Sequence, residues 1–507
     1  MSKRFQKSVL LLAPLMASFS GCTLSPEPLD AGFVSSRSQE LLSRVTADQE
    51  PITHAISLHE AIARALKYNL DHRVEEFEHA LRVKELGLSD YTMLPSLVAG
   101  SGYSTRGNDL ASSSFNLVNK TQNFGYSTSQ DREQLNKDLL LSWNVLDFGL
   151  SYVRAKQAGD KVLIAEEGRK KIVQRIMEDV RQAYWRAASA QRLDARLQRL
   201  EGRTRRALSD TAAIAAQRAT SPVAAATFRR DLLEVIRTTQ ELRRELAVAK
   251  IQLAALMNVR PGTPFKIAGA GRHSAPPSAK LSRADMIKLA LDNRSELRDV
   301  DYRRRINAEE ARAALLEMLP GIQLFAGTNQ DANSYLLNSN WMSYGAKASW
   351  NLLKVFQYPA REGVIDAQDK LLNQRALALT MAIMTQIEVS HARYRFFTGE
   401  ASTARDYLAT QTDLVTNLSA EQQANKISEQ TLLREELNLL VAEAKADIAV
   451  ANVEAAAGAI DSALGIAPPL DPRMLSVPVR QLASGLKFAN SGGWKPVHVQ
   501  PVALVTK

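Results

Sequence analysis

The chain repeats itself. Met93-Leu94-Pro95 recurs as Met318-Leu319-Pro320 at an offset of 225 residues, and the same offset lays Ser57, Ile62, Ala65, Leu66 and Arg73 on Ser282, Ile287, Ala290, Leu291 and Arg298. Further on, Ser142-Trp143-Asn144 recurs as Ser349-Trp350-Asn351 at an offset of 207, so the second copy has the shorter connection. A repeat of this length points to duplication of a large structural unit. That unit combines long helical periodicity with two short alternating segments.

Each copy opens on a helical pattern. Ser57 to Met93 begins with Ser57 followed three residues on by Glu60, a capping-box arrangement, and Pro95 ends it. Ser96 to Thr105 turns to Gly, Ser, Val and Tyr, and Lys137 to Asp147 is a cleaner strand. In the latter, Leu139, Leu141, Trp143 and Val145 share one face, and Asp138, Ser142 and Asn144 share the other. The polar stretch from Arg106 to Asn136 between them reads as a surface loop.

Leu150 to about Ala215 is proline-free and helical, long enough to reach about 100 Å at 1.5 Å per residue. Ile176, Val180, Ala183, Ala187 and Ala190 recur at coiled-coil spacing, and after Pro222 the same rhythm returns through Leu242, Leu246, Ala249, Leu253 and Leu256. The pair predicts a long antiparallel hairpin. The second copy runs as helix (Ser282 to Met318), strand (Gly321 to Asn329), strand (Met342 to Leu352), long helix (about Arg361 to Gln423) and return helix (about Glu429 to Leu464). In its second strand Tyr344, Ala346, Ala348 and Trp350 lie opposite Lys347, Ser349 and Asn351.

The ends differ from this body. Residues 1–21 have a basic start, an apolar run and small closing residues, the anatomy of an export signal. Phe19-Ser20-Gly21-Cys22 resembles a bacterial lipoprotein cleavage box, with Phe19 where Leu is usual and Cys22 as the single cysteine. Lipidation is expected at Cys22, with Thr23 compatible with sorting to the outer membrane. The expected division is 1–21 signal peptide, 22–56 lipidated tether, 57–259 first repeat, 260–281 proline-rich linker, 282–470 second repeat and 471–507 a poorly packed C-terminal tail.

Composition excludes several function classes. Lys and Arg give a net charge of +10, but they alternate with Asp and Glu along the helices, so we read solvated faces and no nucleic-acid partner. No nucleophile elbow, Walker loop, zinc motif or dinucleotide fingerprint is found. The expectation is a non-enzyme without catalytic residues or cofactor. His72 and His79 with Glu75 and Glu76 share a helical face, which we read as solvated rather than as a metal site.

After the signal there is no apolar run long enough for a membrane helix, so any passage through a bilayer falls to the strands. Four two-faced strands of about ten residues suit a transmembrane barrel wall. Four cannot close a barrel, and an open edge in lipid leaves unpaired backbone groups. The chain must therefore oligomerise. Two copies would supply 8 strands around a filled interior, three would supply 12 around a lumen, and long hairpins favour the larger arrangement.

Here the sequence resembles the outer membrane factors of Gram-negative bacteria, the TolC family. The matching residues are Ser57-Leu58-His59-Glu60-Ala61-Ile62 with Ala65, Leu66 and Asn69; Leu94-Pro95; Trp143 through Gly149 with Ala155; and Val180 to Trp185. In the second half they are Leu319-Pro320, Ser349 through Leu353, and Ala463-Leu464-Gly465. The resemblance implies a mainly α protein with membrane β structure: a homotrimer whose 12-stranded β-barrel is continued by a periplasmic α-helical barrel. It also implies a duct of a tripartite efflux or type I secretion system, with a periplasmic adaptor, an inner-membrane transporter and outer-membrane lipid as partners. The alternatives are a structural coiled-coil lipoprotein of the periplasm and a divergent lipoprotein hydrolase.

On that reading Tyr103, Trp143, Phe148, Tyr344, Trp350 and Phe356 form an aromatic girdle at the bilayer surface, and Lys347 lines the lumen rather than facing lipid. The hairpin turns depart from the family pattern. Arg218-Ala219-Thr220-Ser221 and Asn425-Lys426-Ile427-Ser428 keep serines but lack the usual glycines. Arg229, Arg230, Asp231, Arg434, Glu435 and Glu436, which follow these turns, are the candidates for a tip constriction.

Overall fold

The structure is a computed structural model that describes residues 27–47, 49–216, 221–268, 281–424, 426–466 and 476–491. The expected signal peptide, the lipidation site Cys22 and the first turn at 218–220 lie outside the described residues, as does Asn425. The chain divides into two units, Met1–Gln49 and Glu50–Lys507. In the first, α1 (Ala31–Arg44) is capped by the Asp30 carboxylate, which accepts from the Phe33 amide.

The second unit realises the duplication residue by residue. Helices α2 (Leu58–Tyr68) and α3 (Leu70–Tyr91) and strand β1 (Ser96–Thr105) lead through short strands β2 to β5 (within residues 111–128) to β6 (Glu133–Asn144), α4 (Val145–Ala216) and α5 (Pro222–Leu256). The second copy is α6 (Arg283–Asn293), α7 (Ser295–Leu316), β7 (Gly321–Asp331), β8 (Asn340–Ser349), α8 (Leu353–Gln423) and α9 (Glu429–Ala463). Both boundaries of α2 and of α3 recur at the offset of 225 in α6 and α7, and both boundaries of α5 recur at 207 in α9.

The expected single opening helix is two helices in each copy. Asn69 and Arg294, equivalent positions, adopt extended backbone (φ −62°, ψ 130° and φ −67°, ψ 124°) and break the helix there. The Asn69 side chain then accepts from the amides of Asp71 and His72 to start α3. Ser57 caps α2 as expected, accepting from the Glu60 amide at 3.2 Å, and Ser282 does the same for α6 with Asp285.

Strands β6 and β8 also end earlier than the alternation suggested. Val145 and Asp147 belong to α4, because Asn144 turns the chain: its Oδ1 accepts from the Leu146 amide at 3.0 Å. Asn351 does likewise for Leu353 at 3.2 Å, so the repeated Ser-Trp-Asn is a strand-to-helix switch. Helices α4 and α8, of 72 and 71 residues, are each about 107 Å long.

The core follows the duplication. Ala61, Ala65, Ile176, Val180, Leu253 and Met257 pack together in the first copy, and Met286, Ala290, Ile383, Ile387, Ile460 and Leu464 occupy the equivalent places in the second. A further cluster of Leu193, Leu197, Leu200, Leu232, Leu433, Leu437 and Leu440 joins the two hairpins. Of the expected loose tail 471–507, the rest lies outside the described residues and the part at 476–491 is packed: α10 (Val479–Ser491) lies on α2 and buries Val479, Leu482, Ala483 and Leu486. Its amphipathic pattern is too short to register against long helices. Glu50 holds its start, accepting from the Val479 amide, while Lys67 Nζ bridges Glu50 and the Val477 carbonyl at 2.8 Å each.

Candidate bilayer-spanning sheet and hairpin tip

The four long strands form one antiparallel sheet, ordered β1-β6-β7-β8. Period-two alternation and the observed register separate two faces. One carries Leu97, Ala99, Leu139, Leu141, Trp143, Ile322, Leu324, Ala326, Met342, Tyr344, Ala346 and Ala348, and its large apolar side chains are exposed. The other carries Asp138, Ser142, Asn144, Gln323, Asn329, Ser343 and Lys347 among Gly100, Gly102, Gly327 and Gly345. On β7 the exposure alternates with this split: Gln323, Phe325, Gly327 and Asn329 are half-buried, while Ile322, Leu324, Ala326 and Thr328 are exposed. Lys347 lies on the polar face, opposite Gln323.

Small residues on that face make room for specific neighbours. A Cβ on Gly100 would fall 2.4 Å from the Asp138 carboxylate, and one on Gly345 would fall 2.9 Å from the Phe325 ring. Strands β1 and β8 stand at the two ends of the sheet order, each with one neighbour. Such a sheet has one exposed apolar face and, among the described residues, an edge without a strand partner at each end.

The six aromatic candidates do not share one level. Trp143, the last residue but one of β6, packs edge-to-face on Phe148 of α4, with centroids 5.6 Å apart. Trp350 lies one residue past β8 and donates its indole N–H to the Met318 carbonyl at 2.8 Å, and Phe356 follows in α8, so these four gather where strands meet helices. Tyr103 lies toward the loop end, opposite Leu135. Tyr344 is at mid-strand, opposite Ala326. At the loop end, Asp131 accepts from the Ser334 hydroxyl and amide, and Asn333 donates to the Ser129 carbonyl, tying the two loops together.

Below the sheet, charged side chains lock the helices. Arg154 of α4 and Arg361 of α8 both donate to Glu310 of α7, at 2.5 and 2.9 Å, and Arg361 also reaches Glu317 at 2.7 Å. Partial burial alone would raise the Glu310 carboxyl, but hydrogen bonds from Arg154, Arg361 and Gln157 outweigh it and hold the group down at about 2. His72 corrects the solvated-face reading. It is fully buried, and burial, aided by the Arg169 charge and only partly opposed by the Leu66 backbone, pushes it down to about 4. Among the described residues no group of three or more His, Cys, Asp or Glu is placed to hold a metal.

At the far end, the six tip candidates do not form one cluster within the chain. Arg230 pairs with its neighbour Asp231 at 2.9 Å, and Arg229 and Arg434 are exposed. Glu435 instead accepts from Gln411 at 2.8 Å and Asn438 at 3.1 Å. Glu436 pairs with Arg203 across to α4 at 2.5 Å. That last pair is one rung of a ladder the sequence reading missed: Arg192 to Asp447, Arg196 to Glu443 and Arg203 to Glu436, in constant antiparallel register between α4 and α9. Opposite charges at matched coiled-coil spacings on two separated helices were the available signal, but only the contact of α4 with α9 identifies the partners.

No family model and no curated protein matches the sequence. Solved structures do match the fold. The Campylobacter jejuni outer membrane channel CmeC superposes with a TM-score of 0.64 at 11% identity, covering 88% of this chain and 94% of that one. The outer-membrane channel OprN gives 0.62 at 14% identity, over 84% and 96%. CusC, described as forming a transmembrane channel, gives 0.61 at 16% identity, over 83% and 96%. The chain therefore has the fold of the TolC-type outer membrane channels.

Proposed function

We propose that the protein is an outer-membrane export duct. The observation that carries this is the sheet: an exposed apolar face, a polar face rich in glycine, and two single-neighbour edges, continuous with helices about 107 Å long. Strands β1 and β8 run in opposite senses, so β8 of one copy can pair antiparallel with β1 of the next. Three copies then give 12 strands, a wider wall than the 8 at which side chains fill the interior.

Helix packing supports the same assembly. In the second copy α7 lies between α4 and α8, whereas its counterpart α3 contacts α4 and leaves Val74, Phe77, Leu81 and Leu88 exposed. By the internal duplication, that face is complementary to α8 of a neighbouring copy, which also exposes apolar residues, among them Val364, Leu371 and Met381. On this reading the barrel lies in the outer membrane and the hairpins extend into the periplasm. Their tips meet an adaptor protein that couples to an inner-membrane transporter, in a tripartite efflux or type I secretion system, and Cys22 carries the lipid anchor.

The test is planar-bilayer conductance of the purified full-length protein. Ion passage that rises when the α4–α9 ladder is broken supports the duct. A protein that fractionates with the outer membrane but never conducts, in any ladder variant or salt concentration, supports the structural coiled-coil lipoprotein instead.

A further inference from the structure

The apolar face of the sheet holds a lysine between leucines, a charge that does not belong in hydrocarbon. Register places Ser101, Lys137, Gln330 and Asn340 side by side across all four strands. On the helical side of this row lie Ala99, Leu139, Thr328 and Met342, and on the loop side Tyr103 and Leu135. Lys137 is thus flanked along the strand by leucine on both sides. Among the described residues it has no carboxylate within ion-pair distance; Glu133, the other charge on this face of the four strands, ends the sheet opposite Thr105.

A cavity of about 560 Å³ opens at this row, lined by Lys137, Leu139, Thr328, Gln330, Asn340 and Met342 together with residues of the opposite face. On the apolar face its lining is a cation, two amides and the Thr328 hydroxyl beside Leu139 and Met342, while Asp138, Asn329 and Trp341 line it from positions whose side chains alternate to the other face. A lysine at the bilayer midplane is costly and near the interface is tolerated. Its ammonium snorkels toward the headgroups along its flexible stem. Tyr103, two residues beyond the row and about 7 Å along the strand, supplies the amphipathic ring expected at that interface.

We propose that Lys137, with Gln330 and Asn340, binds the phosphate of a phosphorylated lipid headgroup in the outer leaflet, with the acyl chains lying over Leu139 and Met342. The inference rests on the barrel reading above, which turns this face to lipid. The ammonium supplies the charge, the amide N–H groups supply directed hydrogen bonds, and the cavity sets the place.

The experiment is native mass spectrometry of the full-length oligomer in detergent, titrated with a diphosphorylated, multiply acylated glucosamine disaccharide and with its dephosphorylated counterpart. Lys137→Gln should weaken binding of the phosphorylated lipid about fivefold, and Lys137→Arg should retain it. Gln330→Leu, which leaves every charge in place, should weaken binding as well. Lys347→Gln, on the opposite face, should leave it unchanged. Equal binding of the dephosphorylated lipid, no effect of Lys137→Gln, or displacement of the lipid by millimolar inorganic phosphate would each overturn the proposal. Loss on Lys347→Gln but not on Lys137→Gln would reverse the two faces and overturn the barrel reading itself.

Discussion

Arg154 and Arg361 occupy equivalent positions of the two repeats, 207 residues apart, and both close on the same carboxylate, Glu310, at 2.5 and 2.9 Å. The duplicated halves thus share one anion, which fastens α7 between the two longest helices. Glu85, the residue equivalent to Glu310, pairs within its own helix with Arg82 at 2.9 Å. On the trimer reading it stands where a neighbouring copy's Arg361 would arrive.

Glu310→Gln should therefore loosen the junction below the sheet. The folded carboxyl is held at about 2, below its usual 4.5, so its contribution is present above about pH 4.5 and lost as pH falls toward 2. Partial exposure screens the site, and a loss of about 1 to 2 kcal/mol at neutral pH is expected. Denaturation of the detergent-solubilised protein and of the variant should give stabilities that differ at pH 7 and converge as pH falls from 4.5 toward 2. A constant difference at all pH values contradicts this role.

The ladder between α4 and α9, whose rungs lie about 10 to 27 Å along α9 from its start at Glu429, is expected to hold the two hairpins together behind the tip. Each partly exposed pair contributes only about 0 to 1 kcal/mol alone, so Arg203→Ala or Glu443→Ala singly should change little. The double variant should raise single-channel conductance, and raised salt should do the same to the unaltered protein as the Debye length falls to about 3 Å at 1 M. Replacing Arg434 and Arg229 instead should have the smaller effect, since both are exposed.

The C-terminal helix is expected to be structural. Leu482 is 5% exposed and belongs to the core that contains Ile56, Leu66 and Val180, so Leu482→Ala should cost about 2 to 5 kcal/mol. Thermal unfolding followed by circular dichroism would show it. An unchanged midpoint would mean that α10 is a loose appendage.

Much of this architecture was legible because duplication lets one copy vouch for the other. Met93-Leu94-Pro95 and Ser142-Trp143-Asn144 located the ends of α3 and β6 in both halves, and the alternation in β6 and β8 assigned Lys347 to the polar face. The helix break escaped notice because Arg294 carries no capping signal and apolar periodicity continues across it. His72 looked solvated since its neighbours Asp71 and Arg73 are charged, but its own direction faces the packed interior, which only tertiary contact reveals. The tip end was least legible, because ion pairs such as Arg203 to Glu436 join residues 233 positions apart on helices whose relative register no local pattern encodes.

Cys22 is expected to be the mature N-terminus, carrying a diacylglyceryl group and an N-acyl chain, which together give stable anchoring. Mass spectrometry of the N-terminal peptide decides this. Cleavage elsewhere or an unmodified thiol would remove the anchor from the account.

The mass of the assembled particle tests the duct most directly. Native mass spectrometry of the outer-membrane fraction in mild detergent should give a particle of three mature chains, each somewhat lighter than the 55.9 kDa of the full sequence because residues 1–21 are expected to be removed, since three copies of the β1-β6-β7-β8 sheet close a 12-stranded wall. A stable single chain inserted in the outer membrane, with β1 and β8 left unpaired, would contradict both the barrel and the passage through it.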